Sequence, residues 1–372
     1  MGKRILITGG AGFVGSHLAD ELIDRGYEVR ALDNLSEQVH GPNPGRPSYL
    51  AEEVELIVGD VRDPDAVHRA LDGVDAVFHL AAAVGVGQSM YRVADYLDEN
   101  CVGTGTLLEA LAQRPVERLV IASSMSIYGE GLYQRDDGEV ITAAKRNVEQ
   151  LRAGEWELSD ESGAPLQPAP TPETKPPELA SVYALSKYAQ ERLGLMLGET
   201  YRIPTVALRF FNIYGTRQAL SNPYTGVLAI FAARLLNDRP PLIYEDGLQR
   251  RDFVSVKDVA RACRLALEHP EAVGGVFNIG SGEPRTIRDV ALELATTLDK
   301  PQLHAELTGE YRVGDIRHCY ADIGQARAVL GFEPQVEFAD GLAELAHWLE
   351  SQVAVDRVAE ARRELSSRGL TL

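Results

Sequence analysis

The chain has 372 residues, enough to bury a large core and to make one two-lobed unit or two domains, which excludes a single small module. Its 37 Lys and Arg stand against 55 Asp and Glu, a formal charge of −18, and so acidic a surface repels phosphate backbones and anionic lipid, so neither nucleic acid nor membrane is an expected partner. A phosphate-bearing ligand must then be held by local donors, meaning helix N-termini and a few arginines set against an unfavourable global field.

The opening residues Met1 to Ile7 place basic groups before an apolar run, yet the run breaks into Gly9, Gly10 and Gly12 with no cleavage-type site after it. No apolar stretch approaches the roughly 18 residues needed to span a bilayer. The expected location is the cytoplasm. Arg4 to Thr8 (RILIT) is a short β-branched run of the kind buried in parallel sheets, and Phe13, Val14, Leu18 and Leu22 continue it at helical spacing until Gly26 closes the helix as a left-handed cap. The pattern then predicts strands over Glu28 to Leu32 and Glu55 to Val58, a helix over Asp63 to Leu71, and a strand over Ala76 to Leu80. A long helical pattern through Tyr91 to Gln113 follows, with a strand at Arg118 to Ala122, a helix at Ser181 to Tyr201 and a strand at Thr205 to Phe210. Repeated βα units of this length predict a doubly wound α/β fold, a parallel sheet of Rossmann type covered by helices on both faces.

Between Gly129 and Pro177 an acidic stretch carries six prolines, Pro165, Pro168, Pro170, Pro172, Pro176 and Pro177, and cannot be one regular element. It reads as an insertion over 130–177 acting as a flexible lid, with a helix in Val140 to Ala153 and loop elsewhere. After about Asn212 the alternation becomes irregular and predicts a second, smaller α/β lobe for substrate. The predicted division is a dinucleotide-binding domain over 1–212, a lobe mainly over 213–350 with part of 251–282 returning to the first domain, and a charged helical tail over 351–372. Cys101, Cys263 and Cys319 are far apart, without Cys or His at zinc-site spacing, and read as reduced structural thiols; no metal is expected.

Gly10-x-Gly12-x-x-Gly15 follows the first strand and opens the first helix, the context in which this pattern binds a dinucleotide. The glycines permit a tight turn and close approach of backbone to pyrophosphate, while the helix N-terminus offers amides and partial positive charge. Asp33 lies 18 residues beyond Gly15, at the end of the second strand, where a carboxylate accepts hydrogen bonds from a ribose diol and repels a 2′-phosphate. NAD is therefore the expected cofactor, ahead of NADP. Gly59-Asp60-Val61 suits adenine contact, and His79 reads as structural.

Tyr183 and Lys187 are four apart in a helical segment and share one face. An ammonium close to a phenol lowers the tyrosine pKa, which makes a base able to take a proton from an alcohol while its hydride leaves to a nicotinamide. Ser123 and Ser124 directly follow the strand that ends at Ala122, on the ligand-facing edge of a doubly wound sheet, where a hydroxyl can hold the reacting oxygen.

An ordered set of motifs carries a resemblance: Thr8-Gly9-Gly10-Ala11-Gly12-Phe13-Val14-Gly15-Ser16, Gly59-Asp60, His79-Leu80-Ala81-Ala82, Ser123-Ser124-Met125-Ser126-Ile127-Tyr128-Gly129, Tyr183-x-x-x-Lys187 and Arg209-Phe210-Phe211-Asn212. The chain resembles the extended short-chain dehydrogenases, specifically the nucleotide-sugar epimerase and dehydratase family, from its first strand to about Trp348, with only the insertion and tail outside. The resemblance implies Ser124, Tyr183 and Lys187 as the catalytic triad. It places Gly9, Gly12, Phe13, Val14, Gly15, Asp33, Asn34, Asp60, Val61, Leu80, Ala81, Ala82 and Asn100 around NAD. Ser126, Asn212 and Arg251 are implied on the substrate side, with Arg312 and Asp315 as nucleotide phosphate and ribose contacts. It also implies a homodimer, paired through the helices near Tyr91 to Gln113 and Ser181 to Tyr201.

Members of the family begin alike, by oxidising the sugar to a keto form, and extra side chains decide the fate of that keto sugar. Related dehydratases carry Asp-Glu directly after the catalytic Ser or Thr, decarboxylating relatives place a Glu in that pair, and enzymes that epimerise at C3 and C5 use a Cys at the second position. This chain has Met125 and Ser126. The expectation is therefore inversion at C4 of a UDP- or dTDP-linked hexose, dTDP-6-deoxysugars included, with NAD retained. A 4-ketoreductase or dehydrogenase using exchangeable NAD(P)H, or epimerisation at another carbon, stays open. An intact triad argues against a non-enzymatic NAD sensor.

Overall fold

Successive strand residues point to opposite faces, and in β1 (Arg4–Thr8) both sets are apolar. Ile5 and Ile7 enter one core with Leu18, Leu22, Val259 and Cys263, whereas Leu6 enters another with Leu32, Val67, Leu107 and Leu119. A strand buried on both sides belongs at the centre of a covered sheet. The computed structural model describes residues 2–42, 44–142, 145–224 and 226–372. In it β1 joins β2 (Glu28–Asp33), β3 (Glu55–Val58), β4 (Ala76–His79), β5 (Arg118–Ser124), β6 (Thr205–Phe210) and β7 (Val276–Ile279) in one parallel sheet of order β7-β6-β5-β4-β1-β2-β3.

Five helices cover the sheet: α1 (Phe13–Asp24), α2 (Pro64–Ala70), α3 (Gly103–Gln113), α4 (Val182–Tyr201) and α5 (Val256–Glu268). Helices α1 and α5 pack on one face, and α2, α3 and α4 on the other. Chain order reverses between β1 and β4, so a crevice opens beyond their carboxyl ends, the switch point where such sheets take ligands. The predicted helix over Tyr91 to Gln113 is helical but not uniform, with Val93–Leu97 leading through a π turn at Asp98–Val102 into α3.

A second core gathers Tyr214, Phe231, Leu235, Phe253, Leu294, Phe338 and Leu345 from helices Val227–Leu236, Ile287–Thr297 and Phe338–Leu349 and from a small mixed sheet. In that sheet Arg250–Ser255 lies parallel to Asn212–Tyr214 and His318–Cys319, and antiparallel to Pro284–Thr286. Among the described residues no helix is long and apolar enough to cross a membrane.

The insertion departs from its predicted form. The helix expected over Val140 to Ala153 is confined to Val148–Arg152, while Val140–Ile141 is a strand; Ala143 and Ala144 lie outside the described residues. Segments expected as loop pair instead, Leu132–Gln134 running antiparallel to both Val140–Ile141 and Gln167–Ala169. Charge binds the insertion to the second lobe. Arg317, with no exposed surface, meets Glu157 at 2.5 Å, Glu245 at 2.8 Å and Asp246 at 2.7 Å, and Arg146 meets Glu245 at 2.7 Å and Glu130 at 3.2 Å. Buried charges persist only when paired this completely.

Candidate active site

The turn between β1 and α1 is built for close approach. Gly9 has φ +72°, and a Cβ there would stand 2.9 Å from the Ala81 amide nitrogen; at Gly15 a Cβ would stand 2.3 Å from the Gly9 carbonyl oxygen. Gly12 begins α1 without a side-chain cap, which leaves its first amides free for an anion. Asp33, buried at the end of β2, accepts from the Ala11 amide at 3.0 Å and the Leu35 amide at 2.9 Å, using one lone pair on each oxygen. The other lone pairs remain for a diol. His40, which no sequence signal marked, lies 3.6 Å from the same carboxylate. Asp60 is held at a pKa of about 2, first by its hydrogen bonds from Arg62, and also accepts from Asn34 at 3.2 Å. These residues fit a dinucleotide: a tight glycine turn, free helix amides, and a carboxylate with spare acceptors.

The cavity they open into measures about 630 Å³ and continues past Leu80, Ala81 and Ala82 to Ser124, Ser126, Tyr183 and Lys187, then to Asn212, Arg251, Arg312 and Asp315. Phe13, Val14, Asn34 and Val61 are also on its wall. Of the residues the resemblance placed in the site, Asn100 alone is not on this wall. It is fully buried, accepting from the Ala83 amide at 2.7 Å and donating to the Ala83 carbonyl at 3.1 Å and the Ser186 hydroxyl at 2.9 Å. Its neighbour Glu99 faces the cavity instead. Asn100 thus ties the exit of β4 to α4. None of the described residues of 130–177 is on the wall.

Strand β5 runs on to Ser124, whose hydroxyl accepts from the Ser126 amide at 3.2 Å and lies 2.9 Å from the Ser126 hydroxyl. Helix α4 begins where the Ser181 hydroxyl accepts from the Ala184 amide at 3.1 Å, and the Tyr183 amide is bound by Ser89 at 3.0 Å. The ring of Tyr183 meets Tyr96 edge-on at 6.4 Å. Burial raises the Tyr183 phenol above its ordinary value, opposed by the Ser124 hydroxyl. Burial also pulls the Lys187 ammonium down to about 7, against Glu191 and Cys101. Lys187 Nζ donates to Gln190 Oε1 at 2.5 Å, and Gln190 Nε2 in turn donates to Thr104 at 2.8 Å. One helical turn sets which face the two side chains share, but desolvation sets their charge.

His79 is the structural residue its sequence suggested, bridging Thr8 and Thr104 at 2.8 Å each, and burial lowers its pKa to about 3, so it is neutral. Arg209 is structural too: its guanidinium clamps Glu191 at 2.7 and 2.9 Å, and Ser123 donates to the same carboxylate at 2.6 Å, locking α4 against β5 and β6.

On the opposite wall, Arg251 donates to the carbonyls of Ile316 at 2.6 Å and Arg317 at 2.8 Å, and Arg312 pairs with Asp315 at 2.8 Å and lies 5.5 Å over the Tyr244 ring. The Asn212 Oδ1, Gln218 Oε1 and Gln249 Oε1 atoms are buried without a hydrogen-bond partner among the described residues, and all three residues line the cavity. Buried oxygens left open in this way suit donors on a ligand. Gln218 and Gln249 carried no sequence signal, lying in an irregular loop and beside a short strand.

A model of the NAD dependent epimerase/dehydratase family matches residues 5–150 and 159–280. The dTDP-L-rhamnose 4-epimerase of Burkholderia thailandensis is 37% identical over 358 residues, covering 95% of this chain and 96% of the relative. The crystal structure of Thermus thermophilus UDP-glucose 4-epimerase with NAD superposes with a TM-score of 0.75 at 32% identity, covering 94% of this chain and 100% of that one. The Thermotoga maritima UDP-glucose 4-epimerase, solved with UDP-glucose, gives a TM-score of 0.74 at 29% identity, covering 93% and 98%.

Proposed function

Because the chain belongs to the NAD dependent epimerase/dehydratase family, we propose that it inverts C4 of a UDP- or dTDP-hexose through a transient 4-keto sugar. It is an NAD-dependent enzyme, and in this reading the cofactor stays bound from one turnover to the next. NAD, when bound, supplies the hydride acceptor of the first half-reaction and the donor of the second. Gly12 and the first amides of α1 hold its pyrophosphate, and Asp33 its ribose diol. Tyr183 takes the proton of the C4 hydroxyl at its Oη and returns it to the new hydroxyl, with Ser124 donating to the same sugar oxygen. Lys187, in its ammonium form, supplies the positive charge that a buried phenolate needs.

What supports this chemistry over its relatives is the distribution of acids on the cavity wall. Among the described lining residues the carboxylates are Asp33, Asp60, Glu99 and Asp315. The first two belong to the dinucleotide turns, Glu99 feels the charges of Arg62 and Asp60, and Asp315 is paired with Arg312. Beside Ser124 stand only Met125 and Ser126. No second acid and base are poised there to remove water or to deprotonate C3 or C5. Return of the hydride to the other face is the chemistry left.

The homodimer is part of the same proposal. Val93, Val102, Leu185 and Met196 are 42 to 53% exposed on the Val93–Leu97 helix, the π turn and α4, and offer an apolar face for pairing.

Purified protein incubated without added cofactor with UDP-, dTDP- and GDP-sugars, and followed by NMR, should give a mixture of C4 epimers of a UDP- or dTDP-sugar. Turnover only when NAD(P)H is added would establish a ketoreductase instead. Solvent deuterium at C3 or C5 of the product would move the reaction to another carbon.

A further inference from the structure

The charged tail reaches the cavity. Helix α6 (Val358–Ser367) sets Val358, Ala361, Arg362 and Leu365 on its wall, and the spacing of 358, 361 and 365 puts the three apolar groups on one face. Ala361 and Leu365 are buried. Beyond α6 the backbone pairs antiparallel with 311–313: Tyr311 N–H donates to the Leu372 carbonyl at 3.0 Å, Leu372 N–H to Tyr311 at 2.8 Å, and Val313 N–H to Leu370 at 2.9 Å. Arg312 sits between those rungs.

Side chains repeat the connection. Arg362 grips Glu310 through Nη2 at 2.5 Å and Nε at 3.1 Å. Leu365 and Arg312 both rest on Gly87, where a Cβ would stand 3.5 Å from Leu365 Cδ2 and 3.6 Å from Arg312 Cδ. Arg368 lies 4.5 Å over the Tyr91 ring, and the Tyr91 hydroxyl is 2.6 Å from that of Tyr224. At the other end Asp356 pairs with Arg239 at 2.9 Å. One segment therefore touches two separate loops of the cavity, around 84–91 and 310–315, and the first of these meets a third at Tyr224.

We propose that 358–372 is a substrate-binding element, its apolar face forming a wall against a nucleoside diphosphate-sugar and its backbone pairing holding Arg312 ready for the diphosphate. The inference rests on the nucleotide-sugar reading of the site. Arg312 lies in an irregular stretch, and a long side chain on an untethered loop must be ordered when ligand arrives; the tail does that ordering beforehand. Gly87 ties this wall to the reaction centre, since the Val86–Ser89 turn ends on Ser89, whose hydroxyl binds the Tyr183 amide.

The test is calorimetric titration of UDP and dTDP into the NAD-loaded protein, comparing the parent with a truncation after Arg357, which keeps Asp356, and with Leu365→Asp and Leu365→Met. The expected result is that the truncation and Leu365→Asp weaken binding of whichever nucleotide the parent takes by at least about tenfold, that Leu365→Met restores it, and that bound NAD per chain is the same in all. Parent-like affinity in Leu365→Asp and in a folded, NAD-loaded truncation would overturn this inference and leave the nucleotide-sugar reading standing. If the truncation does not fold, Leu365→Asp against Leu365→Met decides. A parent that binds neither nucleotide would overturn the nucleotide-sugar reading, and this inference with it.

Discussion

Replacing Lys187 by Met probes the reaction centre without measuring turnover. Lys187 is 3% exposed, and burial lowers its ammonium to about 7 against an unfolded value of about 10.4. Below pH 7 the group is charged in the folded and the unfolded chain alike, so the whole cost of burying an ammonium bears on the native state, on the order of 5 kcal/mol. As pH rises through 7 the folded chain releases its proton while the unfolded chain keeps one. Native stability then climbs by about 1.4 kcal/mol per pH unit from this group, until both forms are neutral above about 10.4. At pH 9 the residual cost is on the order of 2 kcal/mol. Methionine carries no such term. It leaves Gln190 Oε1 without its donor, an expense of about 1 to 3 kcal/mol that does not depend on pH. Urea unfolding of the cofactor-free proteins should therefore show the parent gaining about 3 kcal/mol on Lys187→Met between pH 6 and pH 9. Parallel profiles would mean that Lys187 keeps an ordinary pKa in the fold, and the account of a desolvated lysine beside Tyr183 would be wrong.

Four other perturbations act elsewhere in the structure. Tyr183→Phe should lower kcat by about 10² to 10⁴-fold with the amount of bound NAD unchanged, measured on purified protein; parent-like turnover would remove the phenol from its role. Asp33→Ser deletes the acceptor for a ribose diol and the charge that repels a 2′-phosphate, so NAD should bind about tenfold or more weakly and the margin over NADP should shrink, as read by competitive titration. Arg317→Met takes one cation from Glu245, which keeps Arg146, and from the partly exposed Glu157 and Asp246, and should cost about 1 to 3 kcal/mol in chemical unfolding. Leu185→Glu combined with Met196→Glu puts charge on the exposed face of α4; on the proposed pairing, light scattering should find a dimer for the parent and a monomer for the variant, and a parent that is monomeric would refute the pairing.

The dinucleotide half was legible in the chain because its signals are local. Apolar runs of strand length, helical spacing and a glycine turn each act within about twenty residues, and β6 falls where Thr205 to Phe210 predicts it. Motif residues such as Ser124, Tyr183 and Lys187 share one cavity because strand ends and helix starts converge at the switch point of the sheet. Contacts between distant segments were not legible. Val140–Ile141 becomes a strand because Leu132–Gln134 is there to pair with it, a choice no local propensity makes. The partners of Asn100, the Ala83 backbone and Ser186, are likewise set by the tertiary structure.

The tail is the sharpest case, since it read only as a charged helix, while the partners of its apolar residues lie some 50 residues earlier in 310–315 and far earlier in Gly87. Period and spacing determine which face of an element is apolar and which side chains share it. What that face meets, and how far burial moves a charge such as that of Lys187, depend on neighbours brought together only by folding, because desolvation and long-range pairing act through space and leave no periodicity along the chain.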